Sequence, residues 1–327
     1  MRKKFFFALL SVVCFSWRAS AQSSLLATLN HEGTISTYYG SSALQEAYNA
    51  ANHGDVITLS SGSFLGTDIK KAITLRGAGM TIDTVAHTEP TVISSNFNID
   101  VSDTLSHRLT MEGIYSNQTV TVSTLKNAMF LKCRFKNVNY TNNSSTMKDL
   151  NFIHCRIAEG FNLATNGSAS FLNCVVMNPY QYSSETSVFS FTNCYVNNIN
   201  MGHSEYKNCI INHRYSGAST TTYYNNLWLS SNSSSLSSPN KTNVKISPDD
   251  ERVSFLNVAY NDDNDYQLTD AVRVLIKGTD GTEVGIYGGS LPYDPTPTNP
   301  QITKFDVAAK STADGKLSVD IEVNSAN

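Results

Sequence analysis

A short motif recurs along the middle of the chain, and its spacing admits few folds. Phe130-Leu-Lys-Cys133, Phe152-Ile-His-Cys155, Phe171-Leu-Asn-Cys174, Phe191-Thr-Asn-Cys194, Tyr206-Lys-Asn-Cys209 and Tyr224-Asn-Asn-Leu227 all read aromatic-x-x-Cys, with Leu in the last. Their final positions lie 22, 19, 20, 15 and 18 residues apart. Upstream, Ile57, Ile73 with Leu75, Val92 with Ile93, and Leu109 with Met111 continue the beat without Cys. The expected count is about ten coils over residues 55–230. Such a period suits leucine-rich repeats or a β-solenoid. Leucine-rich repeats need several Leu per unit. This stretch is dense in Asn, Ser, Thr, Phe and Tyr, which suit strands and turns. The expectation is an all-β chain wound as a parallel β-helix.

Each coil parses into three short strands. After Cys the pattern alternates, as in Cys133-Arg-Phe135 and Cys155-Arg-Ile157, so Cys and the residue two on face inward. Asn precedes the final position in four coils, at Asn173, Asn193, Asn208 and Asn226, and Lys132 and His154 interrupt that series. Asn tolerates the left-handed backbone of a sharp bend. Stacked coils about 4.8 Å apart would let these amides bond one another. The third strand is Val138-Asn-Tyr140, Phe161-Asn-Leu163, Tyr180-Gln-Tyr182, Ile199-Asn-Met201 and His213-Arg-Tyr215. Five Cys sharing one repeat position are expected as a column of buried thiols, too far apart for disulfides.

Several segments resemble the right-handed parallel β-helix proteins of the pectate-lyase-like superfamily. Ala43-Leu-Gln-Glu-Ala-Tyr-Asn-Ala-Ala-Asn52 and Gly54-Asp-Val-Ile-Thr-Leu59 look like its N-terminal capping helix and first strand. Ser42 with Gln45 would form a capping box. Ile73-Thr-Leu-Arg-Gly-Ala-Gly79 looks like a second coil. Asp265-Tyr-Gln-Leu268, Gly278-Thr-Asp-Gly281 and Gly285-Ile-Tyr-Gly-Gly289 resemble the closing segment. The resemblance covers roughly residues 40–290 and implies architecture more than activity.

Arg2, Lys3 and Lys4, the apolar run Phe5–Phe15 and Ala19-Ser20-Ala21 read as a signal peptide over 1–21, so the mature chain is expected to be exported. No later run approaches the ~18 apolar residues of a membrane helix. The formal net charge is −3, and removal of Arg2, Lys3, Lys4 and Arg18 takes it to −7. That balance disfavours nucleic acid and anionic membranes as partners. The expected layout is a β-helix domain over 22–290, a Pro/Thr linker over 291–300 and a short β tail over 301–327. In the tail, Leu317, Val319, Ile321 and Val323 alternate as one strand, and Ile302, Phe305 and Val307 supply a second.

Residues 109–230 hold five acidic side chains, Glu112, Asp149, Glu159, Glu185 and Glu205. No pair of them falls at matching positions of adjacent coils. Glycoside hydrolysis needs paired carboxylates, and a lyase needs a base plus something to neutralise the uronate, often calcium. Asn98-Ile-Asp100 matches the Asn-x-Asp of polygalacturonases, but the elements that should follow it are missing. A divergent lyase or hydrolase site would use Asp100, Asp103, His107 and Arg108, with calcium its one implied cofactor. Asn261-Asp-Asp-Asn-Asp265 reads as an acidic surface turn without the Gly and Glu of a calcium loop. The outward positions of the third strand, Asn139, Asn162, Gln181, Asn200 and Arg214, form an amide-rich strip that suits sugar hydroxyls. The leading expectation is an exported, non-catalytic β-helix protein that binds a polysaccharide or cell-surface glycan or serves as an adhesin-like scaffold. The alternative is a polysaccharide lyase or glycoside hydrolase.

Overall fold

The computed structural model describes residues 25–83, 88–102, 106–142, 144–181, 186–199, 203–212, 221–229, 243–246, 264–298, 300–308 and 310–324. The chain is an all-β parallel β-solenoid of about seven turns rather than ten. One reason for the smaller count lies at Thr91–Ile93. This strand pairs with Gly62–Phe64 and with Ile114–Lys126 in the second sheet. It is therefore another face of the turn that Thr74–Arg76 begins, and not a coil of its own.

The first sheet stacks Val56–Leu59, Thr74–Arg76, Thr110–Glu112, Met129–Leu131, Leu150–Ile153, Ser168–Leu172, Val188–Thr192, Ser204–Lys207 and Thr222–Tyr224 in parallel. An antiparallel hairpin, Leu26–His31 with Thr34–Tyr39, extends its N-terminal edge. In the second sheet, Ile114–Lys126, Arg134–Tyr140 and Arg156–Leu163 each run through the second and third strand positions, with a register shift between Phe135 and Asn137.

In-register stacking puts like on like inside. Phe130, Phe152, Phe171, Phe191, Tyr206 and Tyr223 form one pile with centroids 4.6, 4.7, 4.9, 4.8 and 5.3 Å apart. Beside it Cys133, Cys155, Cys174, Cys194 and Cys209 are buried and unbridged. The Sγ of Cys174, Cys194 and Cys209 each accept the backbone N–H of the preceding cysteine in the column. Burial pushes the thiols of Cys133, Cys155, Cys174 and Cys194 well above their ordinary range, so they pack as small apolar groups.

The last rung is displaced by one residue from the expected alignment. Tyr206 pairs with Tyr223, not Tyr224. Asn226, fully buried, then takes the cysteine position, and its Oδ1 accepts the Cys209 N–H at 2.7 Å, as a sulfur does in the rungs before. Asn225 is the bend residue instead. The bend column is Gly113, Lys132, His154, Asn173, Asn193, Asn208 and Asn225, all at φ between 50° and 64°. Asn reaches that region at small cost.

The helix Ala43–Ala50 buries Ala43, Leu44, Ala47 and Tyr48. Ser42 makes no side-chain capping bond. Gln45 turns away from it, donating to Asn49 Oδ1 and accepting from Thr67 Oγ1, so the expected capping box does not form.

Residues 264–298 run back along the outside of the solenoid as a strap. Most of the bend column bonds this strap, and bonds between neighbouring amides are secondary. Asn225 Nδ2 donates to Lys277 O, Asn208 Oδ1 accepts Thr279 N–H, and Asn173 Nδ2 donates to Ile286 O and Gly288 O. His154 Nε2 bonds Leu291 O, and Lys132 Nζ reaches Asp294 and Thr296 O. Glu112 Oε1 accepts Thr298 N–H. Residues 291–298 are thus docked on the solenoid. Gly285 sits at φ +87°, and a Cβ there would lie 2.4 Å from Ile210 Cδ1, which fixes glycine at this crossing. Beyond the strap, Gln301–Val307 and Val319–Asn324 pair as an antiparallel hairpin.

Candidate functional site

The third strand positions build an outward column across five rungs. Register pairs Asn98 with Thr121, Thr121 with Asn139, and Asn162 with Tyr180, and Asn139 and Asn162 each directly follow the paired Val138 and Phe161. Inward neighbours hold this column out. Val138, Phe161 and Leu163 are buried, while Asn139 and Asn162 are half-buried. Asn162 Nδ2 donates to Asn139 Oδ1 at 2.5 Å. Asn98 Oδ1 accepts from Thr121, Ser123 and Thr141 hydroxyls at 3.2, 3.2 and 3.3 Å. The Asn139–Asn162 bond uses one N–H and one lone pair, and an amide carries two of each. At the far end Tyr180 is 39% exposed. The column therefore offers amides, hydroxyls and an aromatic ring in one line at strand spacing, about 4.8 Å.

Two of the expected strip residues, Asn139 and Asn162, are in this column. Gln181 pairs with Leu163, one position off the expected alignment, and Tyr180 takes its place beside Asn162. Asn200 and Arg214 lie outside the described residues. Asn98, Thr121, Ser123 and Thr141 belong to the same surface and were not expected there. The parallel register of Phe97–Val101 on Ile114–Lys126 brings Asn98 in, and single-chain periodicity does not reveal that register.

Of the alternative catalytic set, Asp100, His107 and Arg108 are among the described residues. Asp103 lies outside them. His107 and Arg108 are exposed, and Asp100 is half-buried on Phe97–Val101. His107 lines an open cleft of about 520 Å³ at the N-terminal end, with His31, Glu32, Asn52, His53 and Asp55, and Asp100 does not line it. His31 Nδ1 lies 2.8 Å from Asp55 Oδ1, and Asp55 Oδ2 accepts Asn52 N–H at 2.7 Å. The hydrogen bond to Asp55, and then its charge, raise the His31 pKa above the ordinary imidazole value.

Among the described residues, no group of three or more His, Cys, Asp or Glu is placed to hold a metal ion. Of the acidic run ending at Asp265, only Asn264 and Asp265 are described, and Asp265 Oδ1 accepts Gln267 N–H. Among the described residues, no helix is long and apolar enough to cross a membrane. No family model, curated protein or solved structure matches the chain.

Proposed function

We propose that the protein is an exported glycan-binding β-solenoid whose ligand lies along the Asn98–Thr121–Asn139–Asn162–Tyr180 column. The observation that supports this most is the alignment of amides and hydroxyls with an exposed tyrosine at one register position. Sugars need donors and acceptors for their hydroxyls and a flat apolar face for their C–H groups, and few other ligands need both in a line. Among the described residues no carboxylate pair accompanies the column, and the role proposed for it is binding. Export rests on the basic, apolar and small-residue order of residues 1–21.

The proposed architecture is the right-handed, three-sided helix of the pectate-lyase-like superfamily, with Ala43–Ala50 as its cap. A helix packed just before the first parallel strand, Val56–Leu59, supports that reading. A glycan array of neutral and acidic polysaccharides, with and without calcium, tests the binding function. Tyr180→Ala and Asn162→Ala should each weaken a positive signal about tenfold, since losing one stacked ring or one good bond costs on the order of 1–1.5 kcal/mol. A positive signal unchanged in both variants would remove the column from the binding surface.

A further inference from the structure

We propose that the N-terminal cleft is a separate proton-transfer site that hydrolyses uncharged acyl esters, with His31 as general base and His53 as the hydrogen-bond donor to the reacting carbonyl. The inference does not rest on the glycan reading, because none of the cleft residues lies in the column.

The two imidazoles are held in complementary states by the fold. Asp55 is 5% exposed, and as a carboxylate it only accepts. It therefore holds the proton of His31 on Nδ1, at 2.8 Å, and leaves the Nε2 lone pair as the free basic position of a ring that lines the cleft. Asp55 is itself fixed by Asn52 N–H. His53 is held the opposite way. Its Nδ1 accepts the backbone N–H of Ala72 at 3.1 Å, so its proton sits on Nε2 and the ring is neutral. One cleft thus carries an oriented base and an oriented neutral N–H donor. The third imidazole, His107, lies over Gly54, where a Cβ would come within 2.8 Å of its ring. Gly54 sits at φ +90°, a backbone conformation that strains other residues.

This equipment selects the reaction. Water gives its proton to His31 Nε2 as its oxygen bonds to the acyl carbon, and the carbonyl electron pair moves onto oxygen, where His53 Nε2–H donates to it. The tetrahedral adduct then collapses. The bond to the alcohol oxygen breaks, and that oxygen takes the proton from the His31 imidazolium, giving acid and alcohol from ester and water. Glycoside hydrolysis uses a pair of carboxyl groups, and with Asp55 committed to His31 and Asn52 only Glu32 is left in the cleft. Glu32 and Asp55 both line the cleft, which disfavours a uronate or other anionic substrate.

The test uses the full mature chain, with 4-nitrophenyl acetate and an O-acetylated polysaccharide as probes and equimolar free imidazole as the reference. Expected is hydrolysis above that reference, rising with pH through the raised His31 titration to a plateau. The groups facing His31 are Asp55, Glu32, His53 and His107, and Asp55 dominates the shift. His31→Ala should lose about 10²-fold or more, and added imidazole should restore part of the rate in a chain that remains folded by circular dichroism. His53→Ala should lose about 10²-fold in kcat. A wild-type rate no greater than free imidazole on both probes would overturn the proposal. So would a His31→Ala protein that keeps its rate or ignores added imidazole.

Discussion

One column of the second sheet's outer face passes through two environments. Tyr115, Arg134, Arg156, Val175, Tyr195, Ile210 and Leu227 follow one another rung by rung. At the N-terminal end Arg134 lies over the Tyr115 ring at 4.2 Å and both are half-exposed. Toward the C-terminal end Val175, Tyr195, Ile210 and Leu227 are buried against Tyr266, Leu268, Val272, Ile276, Val284, Ile286 and Tyr293 of the strap. Arg156 stands at the boundary. It is 8% exposed, with Nε donating to Tyr293 Oη. A solenoid face is thus polar where water covers it and apolar where its own chain does, and the switch occurs within one residue column.

The largest expected effect is at the covered end. Ile210→Ala and Ile286→Ala each remove a fully buried side chain from the seam and should cost about 2–5 kcal/mol by urea denaturation. A loss below about 1 kcal/mol in both would mean that the strap is only loosely seated. Arg156 and Arg134 are direct register partners, so they sharpen the contrast most directly. Arg156→Ala leaves buried partners unsatisfied and should cost about 1–3 kcal/mol. Arg134→Ala forfeits an open cation–π contact worth about 0.5–1 kcal/mol. Equal losses would erase the distinction between the two ends.

The smallest effect is electrostatic. Burial opposes ionisation of Asp294, but Thr296 N–H and Lys132 outweigh it and hold the carboxyl below its ordinary range. Burial, aided by Lys132, likewise holds His154 below its ordinary range. Both folded values are depressed, so each contribution is present above the unfolded pKa and is lost as pH falls through the folded one. Acid should therefore loosen residues 291–296 first, read as faster proteolysis there than in the repeat core. Asp294 is half-exposed, so screening keeps this effect small. A seam whose cleavage is independent of pH would show that these groups do not hold it.

The inward half of the fold was legible because aromatic-x-x-Cys names residues that must stack on their own kind. The pattern loses its register where residues double. Tyr223-Tyr224 and Asn225-Asn226 fit two alignments, and a slip of one residue exchanges inside for outside. Ring stacking of Tyr223 on Tyr206 decides it. The strap was recognised only as a closing segment, because its backbone carbonyls bond side chains more than a hundred residues away in sequence. Its signal was present in Cys-Val-Val and Cys-Ile-Ile, where an apolar residue stands at an outward position. Of the site, Asn139 and Asn162 were readable from alternation. The His31–Asp55 pair was not, since a hairpin folded onto the first rung brings the two together.

A stack of repeats held only by nearest neighbours melts piecemeal from its ends, because each unit answers to the two beside it. Here residues 264–298 touch rungs from Asn225 back to Glu112, and Pro297 reaches Gly113. Detaching a terminal rung therefore also disturbs contacts several rungs away. The array is converted from a fraying ladder into something closer to a single cooperative body, and its unfolding should be all-or-none over the clamped rungs.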